Sequence, residues 1–183
     1  MGMTSAFRGF RRNGNYEDSS MIIIKHMETE DEIKGKAYVH WKAWKEAYTG
    51  LIDQNFLDAR TLETAEQRAL KAFRNGYKTL IAKDGNRVVG FADYGSYRGD
   101  DLTDAGEVYA IYILKEYYGK GIGYALMTGA LEELKSNDQT AVWVLYNNER
   151  AIRFYKRCGF QFDGKKQDII LGKPVTEARM AKK

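Results

Sequence analysis

The sequence predicts a mixed α/β domain, with one central sheet of about six to seven strands flanked by about four helices. Three observations carry that prediction. The chain has 183 residues, enough for a single domain with a sizeable core. Its apolar residues alternate between a helical and a strand period in the order β-α-α-β-β-β-α-β-α-β-β. One strand-to-helix join, in "IYILKEYYGKGIGYALM" (residues 111–127), holds glycines at three alternate positions.

Residues 1–20 are polar, lack either period and carry Arg8, Arg11 and Arg12, so they read as a disordered extension to a domain spanning 21–183. Tyr16-Glu17-Asp18 can be encoded by a ribosome-binding sequence, which makes Met21 the expected natural start. "MIIIKHM" is the first strand. From Glu30 to Tyr48, Ile33, Ala37, Trp41, Trp44 and Tyr48 recur at helical spacing, and Gly50 ends the helix. A second helix runs from about Thr61 to Arg74, capped by Thr61 and Thr64. "YKTLIAKDGNRVVGFADY" reads as a hairpin turning at Asp84-Gly85. A polar loop leads to the strand "EVYAIYIL", and after the glycines Ile122, Leu126, Ala130 and Leu134 mark a helix. "TAVWVLY" is a strand, "NERAIRFYKRC" a short helix, and a final hairpin closes the chain.

Composition narrows the function. Hydrophobic residues make up 44% and charged residues 30%, an ordinary globular balance, and no apolar run is long enough to span a bilayer. No secretory signal opens the chain, and the single Cys158 excludes an intramolecular disulfide framework, so a cytoplasmic protein is expected. Two histidines, His26 and His40, leave little for a metal site, and none is expected; both read as surface or packing residues. A net charge of +4 is too mild and dispersed for a nucleic-acid binder, but suits an acidic ligand.

The glycine join indicates which acidic ligand. A helix start presents unbonded N–H groups and a positive dipole end, and glycines let phosphate oxygens approach the backbone. Gly119, Lys120, Gly121, Ile122, Gly123 and Tyr124 therefore form a candidate pyrophosphate cradle. The alternative is a glycine turn that packs a helix close to a sheet. A dinucleotide fingerprint needs glycine at Leu126, and a Walker motif needs Ser or Thr where Gly121 stands; both fit poorly.

The pattern resembles the acetyl-CoA signature of the GCN5-related N-acetyltransferase family, Gln/Arg-x-x-Gly-x-Gly/Ala after a strand. A second block, "NNERAIRFYKRCGF", is similar to the family's Asn-x-x-Ala-x-x-Phe-Tyr-x-x-x-Gly-Phe, through Asn148, Ala151, Phe154, Tyr155, Gly159 and Phe160. "AWKEAYTG" looks like the family's first helix. Tyr118 stands where the family usually has Gln or Arg, which removes one side-chain partner for the cofactor.

The resemblance implies the acyl-CoA N-acyltransferase fold, acetyl-CoA as co-substrate, no metal, and an acceptor bearing a primary amine that attacks directly in a ternary complex. An alkyl ammonium has a pKa of about 10.4, so a base or water chain must remove its proton. Glu107 stands where many relatives carry a carboxylate; it is either that relay or an exposed charge at a strand end. Tyr155 matches the tyrosine that approaches the sulfur, or is a core residue. Asn148 is expected to cap a helix and touch the pantetheine arm, to which Ile111 and Ile113 would offer backbone groups. Trp41, Trp44 and Tyr48 either pack the core or wall the acceptor pocket. Asp93, Asp100, Asp101 and Asp104 either attract a cationic amine or are a solvated loop. Cys158 reads as a small buried residue. No membrane partner is expected, a homodimer stays open, and an acyl-CoA-binding regulator with little turnover is the second functional reading.

Overall fold

A computed structural model describes residues 5–7 and 21–183. Eight strands form one sheet in the order β1-β2-β3-β4-β5-β6-β8-β7. They are β1 (Ser5–Phe7), β2 (Ile22–His26), β3 (Lys78–Asp84), β4 (Arg87–Ser96), β5 (Ala105–Ile113), β6 (Gln139–Leu145), β7 (Gln161–Leu171) and β8 (Lys173–Lys182). The helices are α1 (Glu30–Tyr48), α2 (Gln54–Asp58), α3 (Leu62–Arg74), α4 (Ile122–Glu133) and α5 (Glu149–Arg157). Two of these elements, β1 and α2, have no counterpart in the predicted order. Residues 5–7, within the expected disordered extension, pair antiparallel with β2, while the rest of that extension lies outside the described residues.

Alternation along the strands sends side chains to two helical layers. Leu80 and Ala82 of β3 pack beneath α4 with Leu126 and Ala130. Ile81 faces the other way, with Phe91, Ile33 and Ala37 under α1. Thr29 and Glu32 form a reciprocal capping box at the start of α1, and Glu30 and Asp31 add negative charge where the dipole is positive. At Gly35 a Cβ would come within 2.7 Å of Val88 Cγ2, so glycine is what lets α1 lie close on β4. The β3–β4 hairpin turns through Gly85, at φ +57°, as its Asp-Gly pair predicts.

The feature that positions the site is a parting in the sheet. β5 and β6 run parallel and share only three register positions, 105 with 139, 106 with 140 and 107 with 141. Beyond them β5 stays on β4 as far as Ile113, and β6 stays on β8 as far as Leu145. The two ends therefore diverge, with one edge of each strand unpaired. The register between β4 and β5 also slips at Asp93/Tyr94, leaving Tyr109 as an extra residue that bends β5 there.

Among the described residues, no helix is long and apolar enough to cross a membrane.

Candidate active site

The parting leads to the glycine join. After β5, Leu114 is fully buried and its N–H donates to Val89 O at 3.0 Å. Backbone groups on a strand alternate in direction, so Tyr112 also addresses β4, while Ile111 and Ile113 turn their N–H and C=O toward the open side.

The three glycines answer two different needs. Gly119 and Gly121 have φ of +76° and +79°, in the left-handed region that other L-residues enter at a cost. Around Gly119 a Cβ would meet nothing within 4 Å, so the backbone angle alone calls for glycine there. At Gly123 φ is ordinary, but a Cβ would lie 2.9 Å from Ile113 Cδ1 and 3.2 Å from Phe154 Cε2. That glycine serves the packing of α4 against β5 and α5. Gly121 is the N-cap of α4 and offers no side-chain cap; the first bond of the helix is Ala125 N–H to Gly121 O, at 3.0 Å. From Gly119 to Tyr124 the N–H groups meet no acceptor among the described residues.

Cations frame this cradle. Lys120 Nζ lies 4.5 Å from the Tyr117 ring centroid. Arg150, in the first turn of α5, stacks its guanidinium 3.6 Å from the ring centroid of Tyr118. The residue that departs from the familiar Gln or Arg thus holds an arginine from another element beside the glycines. Sequence reasoning missed Arg150, because nothing local links it to residue 118. Asn148 caps α5 by accepting from Ala151 N–H at 3.1 Å.

Tyr155 is buried on α5, edge-on to Phe160 at 6.0 Å. Burial, followed by the fields of Tyr48 and Cys158, pushes its hydroxyl well above the usual tyrosine range, so it stays a neutral donor. On the other face, Tyr48 of α1 and Tyr112 of β5 join hydroxyls at 2.9 Å. Burial, then the field and hydrogen bond of Tyr48, and then the field of Tyr155 raise Tyr112 as well. Tyr48 and Tyr112 thus tie α1 to β5 beyond the last rung that β5 shares with β6. Tyr48 and Trp44 belong to one cluster with Phe56, Leu145 and Val175. At Gly172, in the β7–β8 turn, a Cβ would come within 2.6 Å of Phe56 Cβ, so the hairpin tip seats directly on α2.

Glu107 corrects one expectation. It is not an exposed strand-end charge; its side chain is 1% exposed. Gly106 points to Leu134 of α4, so Glu107, the next residue, faces the α1 side. Arg98 folds over it from the β4–β5 loop. The guanidinium grips both carboxylate oxygens, and Arg98 N–H donates to Oε2 at 3.1 Å.

The acidic residues near that loop are largely committed to other partners. Asp93 binds Lys36 at 2.8 Å and Thr79 at 2.6 Å. Asp101 meets Arg179 and Tyr97, both at 2.9 Å. Asp104 accepts from Asn137 at 3.1 Å. Cys158 is buried, and burial raises its thiol. His26 reaches Glu133 at 3.2 Å, while His40 packs on Phe91 and Tyr112. No group of three or more metal-ligating side chains occurs among the described residues.

Comparison with known proteins agrees with this arrangement. Residues 22–160 match the model of the acetyltransferase (GNAT) family. An uncharacterized N-acetyltransferase of Bacillus subtilis, YuaI, is 31% identical over 139 residues, spanning 74% of this chain and 78% of that protein. Among solved structures, the PaiA N-acetyltransferase of Thermoplasma acidophilum in complex with coenzyme A superposes with a TM-score of 0.65 at 20% identity, covering 88% of this chain and 98% of that one. The putative acetyltransferase YncA of Salmonella typhimurium, with acetyl-CoA as its cofactor, gives 0.63 at 17% identity, covering 87% and 92%. A parted parallel strand pair, a glycine-opened helix and a match over most of the chain make this protein a member of the acetyltransferase (GNAT) family.

Proposed function

We propose that the chain moves the acetyl group of acetyl-CoA to a primary amine, by direct attack while both are bound. The observation that carries this reading is the run of unbonded N–H groups from Gly119 to Tyr124, opening onto the parted edges of β5 and β6. The residues present fit the co-substrate. Two left-handed glycines aim successive amides outward, and Lys120 and Arg150 add positive charge beside them. When bound, acetyl-CoA supplies a thioester, an acyl group activated toward amines.

Residues 119–124 hold the pyrophosphate through their N–H groups. Arg150 takes over the side-chain role that Tyr118 leaves vacant. Ile111 and Ile113 bond the pantetheine arm along the free edge of β5, and Asn148 borders it. Tyr155 hydrogen-bonds the departing sulfur. A thiol titrates near 8.5 and a free tyrosine near 10, and burial widens that gap, so Tyr155 stabilises the sulfur more readily than it surrenders its proton. Glu107 accepts the amine's proton through water, with Arg98 holding the carboxylate in place.

The test is release of free CoA thiol across a panel of amines, with thermal stabilisation by acetyl-CoA read in parallel. Thiol release that depends on the amine is expected. Glu107→Gln should lower the rate most at neutral pH, and the deficit should shrink as more amine is already neutral. A deficit constant with pH would leave Glu107 only the task of holding the Arg98 loop. Stabilisation without thiol release from any amine would favour the regulatory reading.

A further inference from the structure

Beside the aromatic cluster of Trp44, Tyr48, Phe56 and Tyr112 stand one cation and one carboxylate. On the α2–α3 side stands Arg60. Its guanidinium carbon lies 3.8 Å from the ring centroid of Trp44, and its carbonyl accepts from Trp41 Nε1 at 2.9 Å. Stacking fixes the plane of the fork and leaves its edge donors free. No carboxylate pairs with Arg60 among the described residues, although the side chain is half-buried. It lines a small cavity with His40, Trp41, Thr61, Thr64 and Arg68, at the N-terminus of the 13-residue helix α3. Two guanidinium groups border that space and none of its walls is acidic, but at about 10 Å³ it is too small to seat a carboxylate or phosphate, and its hydroxyls are spent on each other and on Thr61 O, so an anion meets the Arg60 edge outside it. Its potential is registered by His40, whose imidazole is held down to about 3 by burial and then by Lys36, Arg60 and Arg68.

On the β8 side stands Glu177. Val175 packs in the Trp44–Tyr48 cluster, and Glu177, two residues further along the strand, points to the same face. Only Gln167, at 3.1 Å from Oε2, bonds it among the described residues. The Tyr48 hydroxyl feels both groups with opposite sign, Glu177 raising its pKa and Arg60 lowering it.

We infer that the acceptor is a small amine that also carries an anionic group, a carboxylate or a phosphate, with the anion on Arg60 and the ammonium drawn toward Glu177. This rests on the acetyltransferase reading and narrows its acceptor. A polyamine would place a second cation against Arg60 and be repelled.

The test uses the full chain and matched acceptors: α-amino acids, their amides, phosphoethanolamine, and a polyamine. KM for the anionic members should be lower than for the amides by at least about tenfold, the lower range for a charged hydrogen bond. Arg60→Met keeps the stem over Trp44 and removes the charge. It should raise KM for anionic acceptors by a similar factor, and by far more than it raises KM for the amides. Arg60→Lys should recover part of the difference. The ratio between amino acids and phosphoethanolamine distinguishes carboxylate from phosphate. Binding of N-acetyl amino acids and their amides, followed by NMR with CoA present, gives the same comparison without turnover. Equal affinity for acid and amide, preference for the polyamine, or a preference that survives Arg60→Met would overturn the inference. If acetyl-CoA neither binds nor reacts, the acetyltransferase reading fails, and the acid-versus-amide binding comparison still judges Arg60.

Discussion

Tyr155 does two jobs that one substitution separates. Its ring fills the core between Phe154 and Phe160, and its hydroxyl is a neutral donor near the phenols of Tyr48 and Tyr112. Tyr155→Phe keeps the ring and deletes only the donor. Turnover should fall by about 10²-fold, as when one preorganised donor to a developing charge is removed, with folding and acetyl-CoA affinity near wild type. An acetyl donor with a more acidic thiol should narrow the deficit, because a better leaving group needs less help. Normal turnover in Tyr155→Phe would pass the task at sulfur to water or a main-chain amide. At the same scale, the residues that were hard to read are those whose meaning depends on a distant partner. Glu107 is followed by apolar residues and reads as a strand-end charge; only the fold of the loop brings Arg98, nine residues earlier, over it. Arg60 follows a five-residue helix, and Glu177 lies in the last strand, so no local spacing connects them.

Elements with a strong period were legible, and so was the glycine join, because its signal lies in consecutive residues. The stripe of α1, the Asp84-Gly85 hairpin and the join before α4 all stand where the pattern puts them. α2 was missed because five residues show no period; what makes it a helix is Asp53, whose carboxylate caps Phe56 N–H at 2.8 Å. β1 was missed because a three-residue edge strand needs only backbone pairing with β2, which leaves no apolar signature. The join itself yields a prediction from its two kinds of glycine. Gly121→Glu forces a side chain into the left-handed region, at about 1–2 kcal/mol, and sets a carboxylate where phosphate is expected. Acetyl-CoA at one hundred times its Kd should stabilise the wild type by about 2.7 kcal/mol and this variant not at all. Gly123→Ala instead crowds Ile113 and Phe154, so it should lower Tm while much of the ligand-induced shift survives. An undiminished shift in Gly121→Glu would show that the phosphates bind elsewhere.

For the molecule as a whole, two groups, half-buried His40 and buried Glu32, define an acid limb of stability. Folded His40 titrates at about 3, against an ordinary 6.5. Between those values the unfolded chain takes up a proton that the folded chain refuses. Stability is therefore intact above pH 6.5 and drains away as pH falls toward 3. Glu32 joins below 4.5. Burial raises its carboxyl, but the Glu28 N–H, Lys25, Lys83 and the Thr29 N–H together hold it at about 2. Its contribution is present above 4.5 and is lost as pH falls through about 2. Urea unfolding of His40→Gln should show a flatter profile than wild type from pH 6.5 down to about 3, with the Glu32 decline common to both added below 4.5. Identical profiles throughout would mean that the imidazole charges freely in the native state.

The three rungs between β5 and β6 also make the sheet mechanically uneven. Strands β1 to β5 form one sheet half and β6 to β8 the other, each laced along the length of its own pairs. A twisting load carried across the molecule concentrates on residues 105–107 and their partners 139–141, backed by the layer of α4 and α5. Those rungs are the narrowest ladder joining the two halves. With its vertex fixed there, the width of the cleft is set by how closely the first turn of α4 rests on Ile113 and Phe154. Gly123, having no side chain, keeps that bearing surface at its narrowest.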